Sequence, residues 1–576
     1  MSTVFYLLLR RLRMPLLVLI CVYSISILGF VMIPGQDDHG HPWEMSFFHA
    51  FYFVSFMGST IGFGEIPYPF TDAQRFWAIV AIYGTVISWL YGIGTMLAII
   101  QDNAFQRLLV ESQFKRRVKR IAEPFYLICG YGETGQLLTK SLSNEGIQLV
   151  IIDINEERIN EIEVCHFLIK PLALCADTSR LKYLKMGGLL HPHCKGVIAL
   201  TKNDQTNLTI ATAVHLLNKN LRLISRAESI DVEENITSFG RNEVINPYET
   251  FSKRLTYLIE KPGMYTLFDW LTGIPNEILS EPSFPKKGRW ILCGYGQFGR
   301  SIHHKFIELG IDITVVTPKK EDIIYLEKVV SGVGVKIDVL EKAGVRKATG
   351  IIAGTSNDAN NLSIIMTAKE LNPDIFIISR QNQRSHFPIF NAAQIDLIMQ
   401  RGNVIAQTIF ALVRSPLLGE FMRLTEYQSH EWANKLVSRL AALVDDEMPH
   451  LWEISIDQKH TPALFYQLEK RKTIKLKDIL RDPNNRQNQL SGMALLLYRK
   501  ERGYLLPDAD QKIKFDDRIL FCGNRQSRRQ HHWIVQDEHI FRYLLTGKEC
   551  SGGYVWQWLS QRFNKAVKTK KTDEFS

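Results

Sequence analysis

Two stretches of the chain run without a single charged residue: the 19 residues from Pro15 to Ile33 and the 25 from Phe76 to Ile100. Each is long enough to cross a hydrocarbon core of about 30 Å as a helix. Between them Trp43 to Ser59, WEMSFFHAFYFVSFMGS, is aromatic and apolar for about four helical turns but polar at its start. That pattern predicts a helix entering the membrane only part way. From Phe125 the pattern changes to short apolar strands alternating with amphipathic helices, which predicts α/β domains on a parallel sheet.

Charge orients the two spans. Arg10, Arg11 and Arg13 precede the first, and Lys115, Arg116, Arg117, Lys119 and Arg120 follow the second. The connecting stretch instead carries Asp37, Asp38, Glu44, Glu65 and Asp72, with Arg75 at its end. Basic flanks stay in the cytoplasm, so both termini are expected there. The net charge of +10 and the pI near 9.0 raise the question of nucleic acid. The densest basic run, however, is a juxtamembrane flank rather than a groove-reading helix, and no nucleic-acid partner is expected. The N-terminal segment is too long for a signal peptide and lacks a small-residue cleavage site, so it is read as a retained helix. The 8 cysteines show no C-x-x-C spacing and no His/Cys cluster, and read as reduced cytosolic thiols.

The half-membrane helix is followed by TIGFGE, Thr60 to Glu65. Non-helical backbone at membrane depth survives only where it lines a cavity. Gly62 and Gly64 alternate, and glycine reaches backbone angles that let successive carbonyls point at one axis. With four copies around that axis, the carbonyls of Thr60, Ile61, Gly62 and Phe63, with the Thr60 hydroxyl, would replace the hydration shell of K⁺. Phe63 would face away and pack as a cuff. The segment resembles the potassium-channel filter TVGYGD, departing from it at Ile61, Phe63 and Glu65; the last departure bears on filter stability. In similar channels with two spans per subunit, a glycine in the inner helix lets it bend. Gly92 and Gly94 are the candidate gating hinge, close helix packing being the other use of small residues. Gly84 reads as packing.

The cytoplasmic part repeats. FYLICGYGETGQLL, from Phe125, is matched by RWILCGYGQFGRSI, from Arg289. Each sets strand, G-x-G-x-x-G and helix in order, the arrangement that places a pyrophosphate at a helix N-terminus. In the first copy the loop is Gly130, Tyr131, Gly132, Glu133, Thr134 and Gly135. Asp153 lies eighteen residues past Gly135, where an acid takes a ribose hydroxyl. Asp177, Asn203, Asp204 and Arg226 complete the candidate nucleotide set, with loop capping the competing role for Asn203 and Asp204. In the second copy the glycines are Gly294, Gly296 and Gly299, and Thr317 stands where the acid should be. Lys319 and Lys320 follow, so this lobe is either a structural lobe without ligand or one suited to a 2′-phosphate or an adenine mononucleotide. TKNDQTNL is answered by TSNDANNL, with Asn357 and Asp358, and ISRAE by ISRQN.

This set resembles the regulator of K⁺ conductance (RCK) domains, related to the TrkA/KtrA subunits of potassium transporters. The resemblance implies NAD or NADH in the first lobe and adenine nucleotide or nothing in the second. Regulatory ions occur in that family, but no pattern here indicates Ca²⁺. The expected fold is an α-helical membrane pore domain followed by tandem α/β Rossmann-like domains with a small α+β C-terminal lobe. Its expected parts are a pore at 1–100, a linker at 101–124 continuing the inner helix, and Rossmann-like domains at 125–270 and 286–410. Crossover helices and the C-terminal lobe follow at 411–530, then an unassigned tail at 531–576. The resemblance further implies a homotetramer, multi-pass in the inner cell membrane, conducting K⁺ under nucleotide control. The alternatives are a membrane-anchored nucleotide sensor without conduction and an NAD-dependent oxidoreductase. No substrate pocket with a positioned proton donor is legible, and His303 and His304 read as surface or packing residues, so no enzyme activity is expected.

Overall fold

The computed structural model describes residues 2–240, 242–273, 283–285, 287–318, 326–444 and 447–547, with backbone alone over 2–9. Lys319, Lys320, Cys550 and the tail from 548 lie outside the described residues. The chain divides into two compact units, Met1–Ala122 and Glu123–Ser576.

The first unit holds two helices long and apolar enough to cross a membrane, Ser2–Met32 and Asp72–Gln101. The second begins four residues before the uncharged stretch because Thr71 and Gln74 form a reciprocal cap, Gln74 N–H to Thr71 Oγ1 at 3.4 Å and Thr71 N–H to Gln74 Oε1 at 3.2 Å. The short helix is Phe47–Gly58, not the expected Trp43–Ser59. Ser46 caps it by accepting from His49 N–H, and Trp43 belongs instead to a two-residue strand, Pro42–Trp43, paired with Gly35–Gln36. The helix anchors through aromatics: the Phe53 ring lies 4.9 Å from that of Phe30 and 4.8 Å from that of Phe70. At Gly84 an added Cβ would lie 3.2 Å from Val22 Cγ1, so this glycine permits the close approach of the two long helices.

The linker does not continue the inner helix. Asp102 is extended and caps a separate helix, Asn103–Lys119, accepting from Ala104 N–H at 2.8 Å and Phe105 N–H at 3.2 Å, while Arg11 of the first helix pairs with its carboxylate. A carboxylate offered to free first-turn N–H groups favours a new helix over extension of the old one.

The second unit contains two six-stranded parallel sheets of identical order. The first is built from Phe125–Cys129, Gln148–Asp153, Leu172–Cys175, Cys194–Ala199, Arg222–Arg226 and Asn242–Ile245. The second uses Trp290–Cys293, Ile313–Thr317, Val329–Ser331, Gly350–Ala353, Phe376–Gln381 and Leu397–Gln400. In chain order, each sheet runs third, second, first, fourth, fifth, sixth, the doubly wound topology whose crevice opens at the ends of the first strands. Leu149 to Ile152 are wholly buried, as strands covered on both faces require.

The lobes exchange their last helices. Pro247–Glu260 leaves the first sheet and packs on Gln297–Glu308 of the second lobe, placing Phe251, Leu255 and Leu258 among Phe298, Ile302 and Phe306. Arg401–Arg414 returns the favour on Glu133–Asn144, where Ile405, Ile409 and Phe410 join Leu138, Leu142 and Ile151. Each fully buried side chain of this size contributes about 1.5–3 kcal/mol. The exchange therefore begins at Pro247 and at Arg401, inside the expected boundaries at 270 and 410.

The C-terminal lobe is a four-stranded antiparallel sheet in the order His450–Ser455, Arg518–Gly523, Gly492–Arg499, Arg502–Leu505. Alternation divides its faces: Leu520 and Cys522 meet Pro262–Thr272, Pro416–Thr425 and His430–Ala441, while Ile519 and Phe521 meet Pro462–Glu469 and two later helices. Those later helices, Arg525–Gln536 and Glu538–Thr546, put Ile534, Val535, Phe541 and Leu544 into the core. The expected unassigned tail is thus folded structure as far as Thr546.

Candidate functional site

The TIGFGE segment, the candidate filter, has an alternating backbone. Thr60, Gly62 and Gly64 have positive φ values of 62°, 69° and 97°, while Ile61 and Phe63 between them do not. Alternation of this kind turns successive carbonyls to one side of the segment, which is what an ion-coordinating row needs. Phe63 packs edge-on against Phe56 of the short helix at 5.4 Å. Glu65 is held from two directions: Arg75 Nε and Nη2 donate to its oxygens at 2.9 and 3.2 Å, and Phe70 N–H donates at 2.8 Å. On Asp72–Gln101, Gly92 and Gly94 lie in unbroken helix, and a Cβ at either would meet nothing within 4 Å among the described residues.

In the first lobe Gly130 has φ 106°, and a Cβ there would come within 2.9 Å of the Leu200 carbonyl carbon and Thr201 nitrogen. A Cβ on Gly135 would lie 2.4 Å from the Gly130 oxygen. Gly132 differs: the nearest atom to its imagined Cβ is Arg158 Nη1 at 3.8 Å. Its space is open, so a side chain here would crowd no protein atom. Gly132 also starts helix Glu133–Asn144 with no side-chain cap, leaving first-turn N–H groups for an anion. Asp153, 5% exposed, ends the second strand beside this loop and accepts from Tyr131 N–H and, at 2.8 Å, from Asn155 N–H. Arg158 Nη1 stands 3.8 Å from Asp153. This arginine was missed from sequence, although a cation five residues past the acid, on the next helix, was there to be found.

The remaining predicted residues divide. Asp177 accepts from Ser179 N–H at 2.9 Å, and its hydrogen bonds to Ser179 hold its carboxyl below the usual range. Asn203 caps helix Asp204–Leu217 through Gln205 and Thr206 N–H, and Asp204 accepts from Glu228 and Ser229 N–H at 2.9 and 2.8 Å. In this structure both are engaged in loop building. Arg226, 7% exposed, pairs with Glu228 and faces the second lobe's Arg401 across that acid.

The second lobe reproduces the frame. Gly294 has φ 101°, a Cβ on Gly299 would lie 2.2 Å from the Gly294 oxygen, and Gly296 has open space and no side-chain cap on its helix. Thr317, 1% exposed, occupies the position of Asp153 and brings no carboxylate. Asn357 caps its helix through Asn360 N–H, and Asp358 accepts from Asn382 and Gln383 N–H and contacts His386 Nδ1 at 2.8 Å. Buried Asn207 and Asn361 make the same clasp in their lobes, each donating to the carbonyl of its lobe's arginine, Arg226 or Arg380. The Asn/Asp repeat thus makes corresponding loop contacts in both lobes. No group of three or more His, Cys, Asp or Glu suited to a metal ion occurs among the described residues.

Two helices long enough to span a membrane, a short apolar helix followed by an alternating glycine segment, and tandem doubly wound lobes are the architecture of a membrane pore domain joined to Rossmann-like domains. Family comparison agrees: the ion channel family matches residues 17–102 and the TrkA-N domain matches 126–247 and again 290–401. The chain joins an ion-channel domain to two TrkA-N domains and is homologous to potassium channel proteins. Probable potassium channel protein 2 of Methanocaldococcus jannaschii is 26% identical over 265 residues, 46% of this chain and 72% of that protein. Potassium channel protein 1 of the same organism is 24% identical over 42% of this chain and 67% of its own length. Among solved structures, the GsuK channel aligns over 95% of this chain and 100% of its own at 15% identity and TM-score 0.47. The same channel bound to NAD aligns over 92% and 99% at 14% identity and TM-score 0.45.

Proposed function

We propose that four copies of this chain form a K⁺-selective pore in the cell membrane, with both termini cytoplasmic, and that NAD or NADH bound at the first glycine loop sets its open probability. The carrying observation is the left-handed backbone at Thr60, Gly62 and Gly64 directly after a helix too short to span. In the tetramer the Thr60 to Phe63 carbonyls coordinate the ion. The M. jannaschii relatives, named as potassium channels, support K⁺ as the permeant ion.

In the regulatory part, Gly132 admits the pyrophosphate to the first-turn N–H groups, Asp153 exchanges a backbone partner for a ribose hydroxyl, and Arg158 faces the phosphates. The second lobe lacks the ribose acid and serves as a structural partner through the exchanged helices. Gly92 bends the inner helix, and helix Asn103–Lys119 transmits the pull. A ligand shifts such an equilibrium only by its differential affinity for the two states, and a nearly complete switch needs about 5.5 kcal/mol in all.

The test is K⁺ against Na⁺ flux in proteoliposomes, with and without NAD⁺ or NADH, comparing the wild type with Gly62→Ala. K⁺-selective flux that responds to nucleotide and vanishes in the variant is the expected result. Absence of flux under every nucleotide condition counts against the channel reading and leaves a membrane-anchored sensor.

A further inference from the structure

Away from both glycine loops, a cleft of about 1050 Å³ opens between strand His450–Ser455, helix Arg525–Gln536 and the C-terminal end of helix Glu133–Asn144. That is room for a small-molecule ligand. Arg414, Arg525, Arg528, Arg529 and Lys459 line it, against the carboxylates of Glu145 and Glu453 alone. Glu453 is occupied elsewhere, accepting from Ser415 Oγ, Leu417 N–H and Arg518. Glu145 is shared by two cations, with Arg528 Nη1 at 3.4 Å and Arg414 Nε at 3.6 Å. The lining therefore carries a surplus of positive charge, part of it desolvated: the Arg414 side chain is 8% exposed, and burial pushes its pKa down to about 10.

Two buried imidazoles add hydrogen-bond donors without acceptors. His450 Nδ1 faces an Arg414 nitrogen at 3.4 Å, and guanidinium only donates, so Nδ1 accepts and Nε2 carries the hydrogen. His531 Nδ1 accepts from Trp452 Nε1 at 3.0 Å, which again leaves the hydrogen on Nε2. The two residues are 5% and 0% exposed, and neither Nε2 meets a hydrogen-bond partner among the described residues. Burial, with Arg414 and Arg528 close by, holds His450 neutral with a pKa near 4, and burial holds His531 near 3. Buried donors without acceptors are costly unless something supplies the oxygen atoms.

The geometry points to a second ligand site in this cleft, specific for a small anion bearing phosphate groups, with Arg525, Arg528, Arg529 and Lys459 gripping its charge and His450 and His531 donating to its oxygens. Several guanidiniums and neutral N–H donors around one opening suit the many acceptor oxygens of phosphate better than a single carboxylate. The anion takes Arg528 from Glu145, the residue that closes the helix begun by the first glycine loop.

The probe is pyrophosphate, titrated calorimetrically into the full-length protein in detergent with saturating NAD⁺ to fill the glycine loops, and with chloride at equal ionic strength as the control. Saturable binding is expected, weakened about tenfold in Arg525→Gln/Arg529→Gln, which alters only exposed side chains, and less in Lys459→Gln. A parallel ADP titration, read as the difference between wild type and double variant, identifies the source. A larger difference for ADP assigns the site to nucleotides, and an equal one to simple phosphates. No saturable heat at millimolar pyrophosphate, or an affinity the folded double variant retains, overturns the assignment.

Discussion

Glu228, on the loop after the fifth strand of the first lobe, accepts from Arg401 Nη1 at 2.9 Å, and Arg401 heads the helix that the second lobe sends back to the first. Arg226 pairs with the same carboxylate, and the Tyr248 hydroxyl donates to it at 3.2 Å. Burial alone would raise the Glu228 pKa, but the two guanidiniums overcome it and hold the group below its ordinary value. A depressed folded pKa contributes stability above the unfolded value of about 4.5, lost as pH falls through the folded one.

Glu228→Gln is therefore expected to lower the stability of the paired lobes by about 2 kcal/mol at neutral pH, short of a fully buried pair because the acid is 19% exposed. The difference between variant and wild type should shrink as pH falls below about 4.5 and close only below the depressed folded pKa of Glu228. Thermal melts from neutral pH down into that acid range decide it; a constant difference at every pH contradicts the ion-pair account.

The glycine loop separates folding from binding. Gly135→Ala sets a Cβ 2.4 Å from the Gly130 oxygen and should destabilise the lobe by about 1–3 kcal/mol. Gly132→Ala meets only Arg158 at 3.8 Å, so its melting temperature should match the wild type while NAD⁺ affinity falls about tenfold. Equal NAD⁺ affinity in wild type and Gly132→Ala removes the loop as the nucleotide site.

Asp153 bonds to the loop at Tyr131 and to Asn155, so its removal acts on both protein and ligand. Asp153→Ala is expected to weaken NAD⁺ binding about tenfold and also to lower stability, whereas Arg158→Ala should weaken binding alone. Calorimetric titration beside thermal melts distinguishes them, and undiminished binding in Asp153→Ala refutes the ribose role.

What could be read in advance was local chemistry. The G-x-G-x-x-G loops, Asp153 eighteen residues on and TIGFGE each place their own atoms, and the structure puts them on the expected strand ends and turns. Hydrophobic pattern located the half-membrane helix but set its start at Trp43, because aromatic character extends past the point where Ser46 supplies the cap. The helix exchange was hidden for a different reason. An amphipathic run such as Pro247–Glu260 announces a buried face, and nothing in its own residues says that Phe298 rather than Leu138 will cover it. His450 and Arg528 likewise come together only through the antiparallel sheet.

Glu65, the departure from the usual filter acid, gains a specific role from its contacts with Arg75 and Phe70 N–H. Both side chains of the pair are partly exposed, so it adds little to overall stability. Its effect is expected on the filter: Glu65→Gln should leave K⁺ over Na⁺ selectivity unchanged while flux decays faster. A decay identical to wild type counts against the clamp.

The break at Asp102 lies between the inner helix and the helix proposed to pull on it. Were the inner helix continuous into the linker, any pull on it would reach Gly92 through rigid hydrogen bonding. Asp102 instead caps a new helix and pairs with Arg11 on the first span. Asp102→Ala removes the cap and the pair together, loosening the joint without touching the filter. Conduction should persist, and the change in flux on adding NAD⁺ should shrink. Arg11→Gln removes the pair but keeps the cap, and should produce a smaller loss of response. If both variants respond to NAD⁺ as fully as the wild type, the pull does not pass through this joint.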